Sequence, residues 1–337
     1  MEYKRVAMDT SKNVFTLHGV DQNGRLALRR DLKRAQLVPF LTKLAPTEIA
    51  LEACGSSHHW AREAMKFGHQ AKLIPPQYAR QYRKRGKNDR TDAEAINEAA
   101  ASPSMRFVAV KSEQQQADTM LMKTRELLVG QRTQLANAIR GHAGEFGIVV
   151  AKGIGNLREL RETIAASAIP EAAKEAIGLL ADQADATDAR LADIGRRMTR
   201  LHKSNEVSLR LAEVPGIGLQ TALTLATTVD ATKFQSGRHF AAWLGLTPKE
   251  HSTGGKHRLG GISKQGNERL RSLLVTGAMA VIRHARPGGR NATPWLLKLL
   301  ERKPRKVVAV ALANKMARIV WAMMSRGEAY RRPPVAA

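Results

Sequence analysis

The order of strand-like and helix-like segments in the first 75 residues constrains the fold more than any other feature of this sequence. Residues 3–32 contain three short runs typical of strands, and Asn23-Gly24 is a typical hairpin turn between two of them. A fourth strand is predicted at 49–53 and a fifth at 71–74, with a helix from Ser56 to Phe67 between them. Three strands, helix, strand, helix, strand and helix is the order of a mixed α/β sheet of the ribonuclease H kind.

The middle of the chain, from about Ser112 to Asn205, shows a helical pattern with almost no strand signal and predicts two long helices. In the second helix, side chains suited to a seam recur at alternating spacings of three and four over about three heptads. These seam residues are Ile177, Leu180, Ala184, Thr187, Leu191, Ile194, Met198 and Leu201. We interpret the seam as a coiled-coil arm for oligomerisation; the alternative is a helix packed within its own domain.

The last third opens with Pro215-Gly216-Ile217-Gly218 between two helical stretches, at 206–213 and 219–229. Glycine lets backbone N–H groups approach an anion closely, and the start of a helix favours negative charge. The segment therefore predicts a helix-hairpin-helix that holds phosphates through Gly216 and Gly218. A Pro-Gly turn that only joins two packed helices is the alternative.

After this turn the sequence predicts a glycine-rich loop from Lys249 to Gly266 and a helix from about Asn267 to His284. The tail from Arg283 to Arg332 carries 13 basic residues and two acidic ones. It is interpreted as a phosphate-binding surface or as a solvated basic face.

Together these patterns predict an α/β fold followed by α structure, in three domains. Residues 1–110 would form the metal-binding ribonuclease H-like domain, 111–210 the helical coiled-coil arm, and 211–337 a mostly helical domain with the helix-hairpin-helix.

The charge balance indicates the partner. The 55 Lys and Arg residues outnumber the 30 Asp and Glu residues, giving a net charge of +25, and nucleic acid is the polyanion that would neutralise it. A membrane partner is disfavoured because the apolar run Val307–Ala313 is too short to span a bilayer and no signal peptide is recognised. The single cysteine, Cys54, permits no internal disulfide, so a reducing cytoplasm or nucleoid is expected.

Four carboxylates are candidates for a divalent-metal site. Asp9 ends the first strand and Glu52 lies near the end of the fourth, while Asp89 and Asp92 are spaced to share one helix face. Mg²⁺ or Mn²⁺ prefers such oxygen ligands, and two ions about 4 Å apart can stabilise a phosphodiester displacement. Taken singly, each acid has a structural alternative: Asp89 as a helix cap, Asp92 within a capping box, and Glu52 as an arginine partner.

Ser252 is the candidate nucleophile of the glycine-rich loop. It lies beside cations and flexible backbone, which suits attack on a phosphodiester, although serine in such a loop is more often a turn former. The residues predicted to contact nucleic acid are Arg83, Lys84, Arg85, Gly216, Gly218, Lys256, His257, Arg258 and Lys264.

Taken as a set and in order, these motifs resemble the DEDD transposases of bacterial insertion sequences. The motifs are Ala7–Lys12, Leu51–Ala53, Lys87–Ala93, Val214–Gly218, Gly245–Lys256 and Gly261–Asn267. The resemblance implies a RuvC-like metal domain, a coiled-coil arm, and a transposase domain whose serine forms a covalent phosphoserine link to DNA. It also implies a bridge or guide RNA, encoded in the flank of the element, that pairs with donor and target DNA, and a homodimer or homotetramer.

By residue match, the resemblance makes Asp9, Glu52, Asp89 and Asp92 the metal ligands and Ser252 the nucleophile. Thr253 is the less favoured nucleophile because a secondary alcohol attacks phosphorus less readily. Two other functions remain open from the residues alone: a metal-dependent junction-resolving endonuclease, in which water attacks, and a non-enzymatic architectural protein. A tyrosine recombinase is disfavoured because Tyr330 lies in a tail without a convincing Arg-His-Arg set.

Overall fold

The computed structural model describes residues 2–84, 86, 88–256, 258–289 and 293–332. The chain divides into two compact units, with the boundary between Gln116 and Ala117. The three-domain division proposed from the sequence remains a prediction. The strands are β1 (Arg5–Thr10), β2 (Val14–Val20), β3 (Leu26–Lys33), β4 (Glu48–Glu52), β5 (Gln70–Ile74), β6 (Pro248–Glu250) and β7 (Leu259–Ile262). The helices are α1 (Arg34–Lys43), α2 (Ser57–Lys66), α3 (Pro76–Ala79), α4 (Asp89–Ala101), α5 (Glu113–Glu145), α6 (Leu157–Ala166), α7 (Glu171–Lys203), α8 (Glu206–Leu211), α9 (Leu219–Thr228), α10 (Gly237–Trp243), α11 (Glu268–Arg283), α12 (Pro294–Arg302) and α13 (Arg305–Arg326).

The first unit is built on a five-stranded mixed sheet in the order β3-β2-β1-β4-β5. β1 pairs with β2, and β2 with β3, in the antiparallel sense, whereas β4 runs parallel to β1 and β5. The predicted turn at Asn23-Gly24 is confirmed, because Gly24 has φ of 80° and the Asp21 carboxylate accepts hydrogen bonds from the N–H groups of Asn23 and Arg25. The mixed sheet confirms the predicted α/β class and is compatible with a RuvC-like fold.

Both faces of this sheet are buried. One face carries Met8 and Leu51 and packs against α1 and α2 through residues such as Trp60. The other face carries Ala7 and Ala50 and packs against Ile96 of α4. Small side chains on the second face allow α4 to lie close to the strands, and its first turn therefore reaches the end of the sheet where β1 and β4 stop.

In the second unit, α5 and α7 pair along their length with opposite chain directions. Arg132 bonds Asp188 at 3.1 Å, while Met122 lies in one apolar cluster with Met198 and Ile139 in another with Ile177. Seven of the eight predicted seam residues belong to these two clusters or pack against them, and Thr187 is buried as well. The two long helices are confirmed, but the seam is occupied within the chain, as the packed-helix alternative expects.

The C-terminal helices surround α13. Val308, Ala313, Met316 and Val320 are buried in the largest apolar cluster of this unit, together with residues of α8 to α12. In the part of the chain that the structure describes, α13 is the one helix long and apolar enough to cross a membrane by length and composition. Core helices of soluble proteins meet the same criterion, and one face of α13 fills this core.

One expectation for the last third is wrong. The segment predicted as a glycine-rich loop contains the antiparallel hairpin β6–β7, because a Gly-Gly turn lets its two sides pair. The tail contributes the apolar face of α13 to a core, while basic residues such as Arg305, Lys306 and Arg318 stay exposed, so its role as a phosphate-binding surface or a solvated basic face remains a prediction. Tyr330, near the end of the tail, packs against that core, and burial raises the pKa of its phenol.

Candidate functional site

Parallel pairing of β1 and β4 places Asp9 beside Glu52. The register joins Met8 to Leu51, so the next positions along the two strands are Asp9 and Glu52. Side chains alternate along a strand, and both acids therefore lie on the face of Ala7 and Ala50, opposite Met8 and Leu51. The sequence-based expectation that the two carboxylates meet at one edge agrees with this register.

The other two carboxylates come from the first turn of α4. Asn88 caps this helix by accepting a hydrogen bond from the Thr91 N–H at 2.9 Å, and the Thr91 hydroxyl lies 3.3 Å from the Asn88 N–H. Asp89 is the first helical residue and not the cap, so the structural role considered for it is wrong. Asp89 and Asp92 are the two acidic residues of this first turn.

The other three carboxylates lie near enough to Asp9 to act on its ionisation. Burial, followed by the negative charges of Asp92, Asp89 and Glu52, raises its pKa from 3.8 to about 6, while a hydrogen bond from the Thr10 N–H opposes the rise. Asp9, Glu52 and Asp89 form no ion pair with any residue that the structure describes. The cluster therefore holds mutually repelling negative charge that a cation would relieve.

Asp92 is the member with a counter-ion. Its Oδ1 lies 2.5 Å from the Nε of Arg83, yet both atoms are buried without a well-directed hydrogen bond. Among the described residues, no three Asp, Glu, His or Cys side chains stand in the arrangement of a metal site. The donor set fits a hard cation, since it offers four carboxylates, and one of their oxygens, Asp92 Oδ1, is buried without a well-directed hydrogen bond. Closure around an ion would require Asp92 to exchange the guanidinium of Arg83 for that ion.

Two of the basic residues predicted to contact nucleic acid are engaged with α4. Arg83 pairs with Asp92, and the Nζ of Lys84 lies 2.5 Å from Oε1 of Glu98. Arg85 lies outside the described residues. The segment before α4 thus positions that helix, and its role toward nucleic acid remains a prediction.

Ser252 lies near the tip of the β6–β7 hairpin. Thr253 and Lys256 face each other across Gly254 and Gly255, with the Lys256 N–H donating to the Thr253 carbonyl at 3.0 Å. Both glycines have positive φ, of 55° and 76°, the conformation that a two-residue hairpin turn requires. The hairpin therefore holds Ser252 on an exposed but regular backbone, which the sequence did not predict.

Two hydrogen bonds join the hydroxyl of Ser252 to other described residues of the hairpin. Its Oγ donates to Oε1 of Glu250 at 2.8 Å and accepts from the N–H of Arg258, across the hairpin, at 3.3 Å. The contact with Glu250 was not predicted, although residues two apart on a strand share one face. Lys256 and Arg258 are exposed beside it, and His257 lies outside the described residues.

Lys264 follows the hairpin and is held in an unusual backbone conformation. Its φ is 55°, the only positive value for a residue other than glycine in the described chain. The backbone around it lies in close contact with the end of α10: a Cβ on Gly266 would lie 1.7 Å from the Trp243 carbonyl oxygen, and one on Gly245 would lie 2.3 Å from that of Gln265. This packing places the exposed Lys264 side chain at the base of the hairpin.

The turn between α8 and α9 contains two glycines, of which Gly216 is packed against other residues and Gly218 is not. A Cβ on Gly216, where φ is 89°, would lie 2.8 Å from Met316 Cε and 2.9 Å from the Gly277 oxygen. Gly218 is the N-cap of α9, is exposed, and has no atom within 4 Å of a Cβ placed there. An open cleft of about 570 Å³ adjoins the turn. The two helices are observed, and phosphate binding by this turn remains a prediction.

Comparisons with known proteins place these residues in two matched regions. Residues 6–146 match a family of DEDD transposases of the IS110 type, and residues 208–293 match the transposase family IS116/IS110/IS902. The chain is 52% identical to the y4pF/y4sB protein of Sinorhizobium fredii, named as a transposase, over 97% of this chain and 86% of that protein. It is 45% identical to a protein of Pseudomonas aeruginosa named as a family 20 transposase, over 98% of this chain and 99% of that protein.

A third relative extends the same pattern. The transposase for insertion sequence element IS1111A of Coxiella burnetii is 39% identical, over 98% of this chain and 92% of its own length. The four carboxylates lie inside the first matched region, and Ser252 with its hairpin lies inside the second.

Proposed function

The chain belongs to the IS110 family of DEDD transposases, and on that premise we propose that it is an RNA-guided recombinase that cleaves and rejoins DNA. Ser252 would attack a phosphodiester and hold the cut strand as a phosphoserine, so that the bond energy is kept for rejoining. The observation that carries this proposal is the presentation of Ser252 on an exposed hairpin, with its hydroxyl hydrogen-bonded on both sides.

The carboxylate cluster supports metal-dependent chemistry. Asp9, Glu52, Asp89 and Asp92 would hold Mg²⁺ or Mn²⁺, since they are hard oxygen donors and three of them lack a described counter-ion. A bound ion supplies Lewis-acid stabilisation of phosphate charge. The exposed cations Lys256, Arg258 and Lys264, with His257, would screen the phosphate that Ser252 attacks.

The nucleic-acid partners follow from charge and family. Donor and target DNA would bind the basic surface, and a guide RNA from the flank of the element would select them by base pairing, while protein reads backbone and shape. We also propose that Gly218 and the start of α9 bind phosphate and that the protein acts in the cytoplasm, on the nucleoid. Assembly into a dimer or tetramer would need surfaces other than the seam of α7.

A covalent-adduct assay tests the nucleophile. Full-length protein, purified from cells that carry the flanking DNA, is incubated with end-labelled DNA of the insertion-sequence end and Mg²⁺, then denatured and separated by electrophoresis. Wild-type protein should retain label, Ser252→Ala should retain none, and the matched Thr253→Ala variant should retain label. Adduct from Ser252→Ala at wild-type levels would refute the proposal, and cleavage without adduct would favour a junction-resolving endonuclease.

The metal and RNA components are tested on the same preparation. Chelation, or Asp9→Asn, should stop cleavage while leaving DNA binding intact; cleavage that is unchanged by chelation would make the carboxylates structural. Binding that needs neither metal nor any of the acids, with no cleavage at all, would favour an architectural protein. Sequencing of co-purified RNA should return the flank of the element, and random cellular RNA would contradict guidance.

A further inference from the structure

The environment of Ser252 contains a proton acceptor whose position follows from the strand geometry. Glu250 ends β6, and Ser252 lies two residues later, so the pleat turns both side chains to the same side. The Ser252 Oγ donates to Glu250 Oε1 at 2.8 Å. Because the Arg258 N–H approaches Oγ as a donor, at 3.3 Å, the serine proton is directed toward the carboxylate.

We propose that Glu250 is the general base that removes the proton of Ser252 Oγ during attack on the DNA phosphodiester. This inference rests on the proposed function, in which Ser252 is the nucleophile. It assigns to Glu250 a role in the chemistry beyond any structural role in the hairpin.

A base is needed because an unassisted serine hydroxyl is a weak nucleophile near neutral pH. In the proposed step, the Oγ–P bond forms as the P–O bond to a deoxyribose oxygen breaks. The Oγ proton passes to Glu250, and the electron pair of the broken bond goes to the leaving deoxyribose oxygen, which takes a proton from water. Rejoining reverses each transfer, and Glu250 returns its proton to Oγ.

The hairpin suits this role geometrically and electrostatically. The backbone bond from the His251 N–H to the Arg258 carbonyl, at 2.8 Å, ties the two sides together and fixes the separation of Glu250 and Ser252. The other charged or titratable side chains that the structure describes on this hairpin are Lys249, His251, Lys256 and Arg258, and Lys306, Lys315 and Arg318 of α13 line the groove at its base. Apart from the histidine these are cations, so Glu250 is the carboxylate within reach of Ser252.

The test separates proton removal from hydrogen bonding. Glu250→Gln keeps the size of the side chain and an accepting oxygen but cannot take a proton. Glu250→Asp keeps a carboxylate but holds it on a side chain that is shorter by one methylene group. Glu301→Gln makes the same chemical change on an exposed residue of α12 and is the matched control. Each variant is measured for adduct formation rate with labelled DNA, for DNA affinity and for thermal unfolding.

We expect Glu250→Gln to slow adduct formation by about 10²- to 10⁴-fold, the range of general-base assistance, with DNA affinity and unfolding temperature unchanged. Its residual rate should rise with pH between 7 and 9, as hydroxide replaces the missing base, while the wild-type rate stays nearly constant. Glu250→Asp should be intermediate, and Glu301→Gln should match wild type.

A wild-type rate for Glu250→Gln would overturn the inference, because an accepting oxygen without proton transfer would then suffice. These outcomes are distinct from failure of the proposed function. If the wild-type protein forms no adduct, or Ser252→Ala forms one, Ser252 is not the nucleophile and the assignment of Glu250 falls with it.

Discussion

Replacing Asp9 with Asn should stabilise the metal-free protein while removing its activity. Burial, followed by the charges of Asp92, Asp89 and Glu52, raises the pKa of Asp9 to about 6 in the folded state. Because this value is above the unfolded value of 3.8, the folded protein takes up an extra proton between about pH 4 and pH 6. Stability therefore falls as pH rises through that window, and the full cost is present above it. Asn carries no charge at any pH and avoids this cost.

The size of the effect follows from the rise in pKa. A tenfold change in an ionisation constant corresponds to about 1.4 kcal/mol, so a rise from 3.8 to about 6 corresponds to about 3 kcal/mol. Asp9 is only half-buried, and solvent screening reduces the expected cost to about 1–2 kcal/mol. For a unit of this size, that free energy corresponds to an unfolding temperature higher by about 4–8 °C in Asp9→Asn at pH 7.5.

Thermal unfolding followed by circular dichroism in the presence of a chelator measures this difference. The gain should be present at pH 7.5 and absent near pH 4, where Asp9 of the wild-type protein is protonated. Mg²⁺ without a chelator should raise the unfolding temperature of the wild-type protein and have less effect on Asp9→Asn. A destabilised variant at pH 7.5, or a difference that does not change with pH, would refute the reasoning.

Four further predictions concern the second unit and the bound nucleic acid. Gly216→Ala should lower the free energy of unfolding by about 2–4 kcal/mol in urea denaturation, because its Cβ would overlap Met316 and Gly277. The control Gly218→Ala should change that free energy by less than about 1 kcal/mol, and equal effects of the two variants would contradict the packing argument. Lys264→Gly should raise the unfolding free energy by about 1 kcal/mol by relieving the positive φ, yet slow adduct formation; unchanged stability would mean that the backbone is not strained. Met198→Asp should lower the unfolding free energy by on the order of 4 kcal/mol, while Leu179→Asp, at a position that is 74% exposed, should not. A Met198→Asp chain that folds but changes its oligomeric state would instead favour the oligomerisation arm. DNA affinity measured by filter binding should fall by roughly 10³-fold or more between 50 and 200 mM salt if six or more phosphates are contacted, and a flat response would exclude an electrostatic interface.

The first unit was the most predictable part of the fold, because its signals are local. Alternating residues, the Asn23-Gly24 turn and Pro75-Pro76 each act over a few positions, and strand order follows from connections that prefer neighbours. Placement of Asp9 next to Glu52 then needed only one assumption, that β1 and β4 are adjacent. The pairing of Asp92 with Arg83 could not be read in this way, since it depends on how α4 docks.

In the second unit, the sequence patterns predict the helices but not what those helices contact. The seam of α7 has the spacing of a coiled coil whether its partner is another chain or α5, because both partners present the same kind of apolar surface. The contact between Gly216 and Gly277 joins residues 61 positions apart and leaves no local signal. Five glycines between 249 and 266 favoured a loop, yet Gly254 and Gly255 supply the positive φ that closes a hairpin.

The assembly of the carboxylate cluster also bears on the safety of the host genome. Two of its members belong to strands, whereas Asp89 and Asp92 belong to α4, which packs against Ala7 and Ala50 of the sheet. A chain made from a copy of the element that is truncated before residue 89 has only Asp9 and Glu52, half of the acids. On the proposed chemistry, the products of such truncated copies are therefore inert toward chromosomal DNA, because cleavage requires the two acids that a folded α4 supplies.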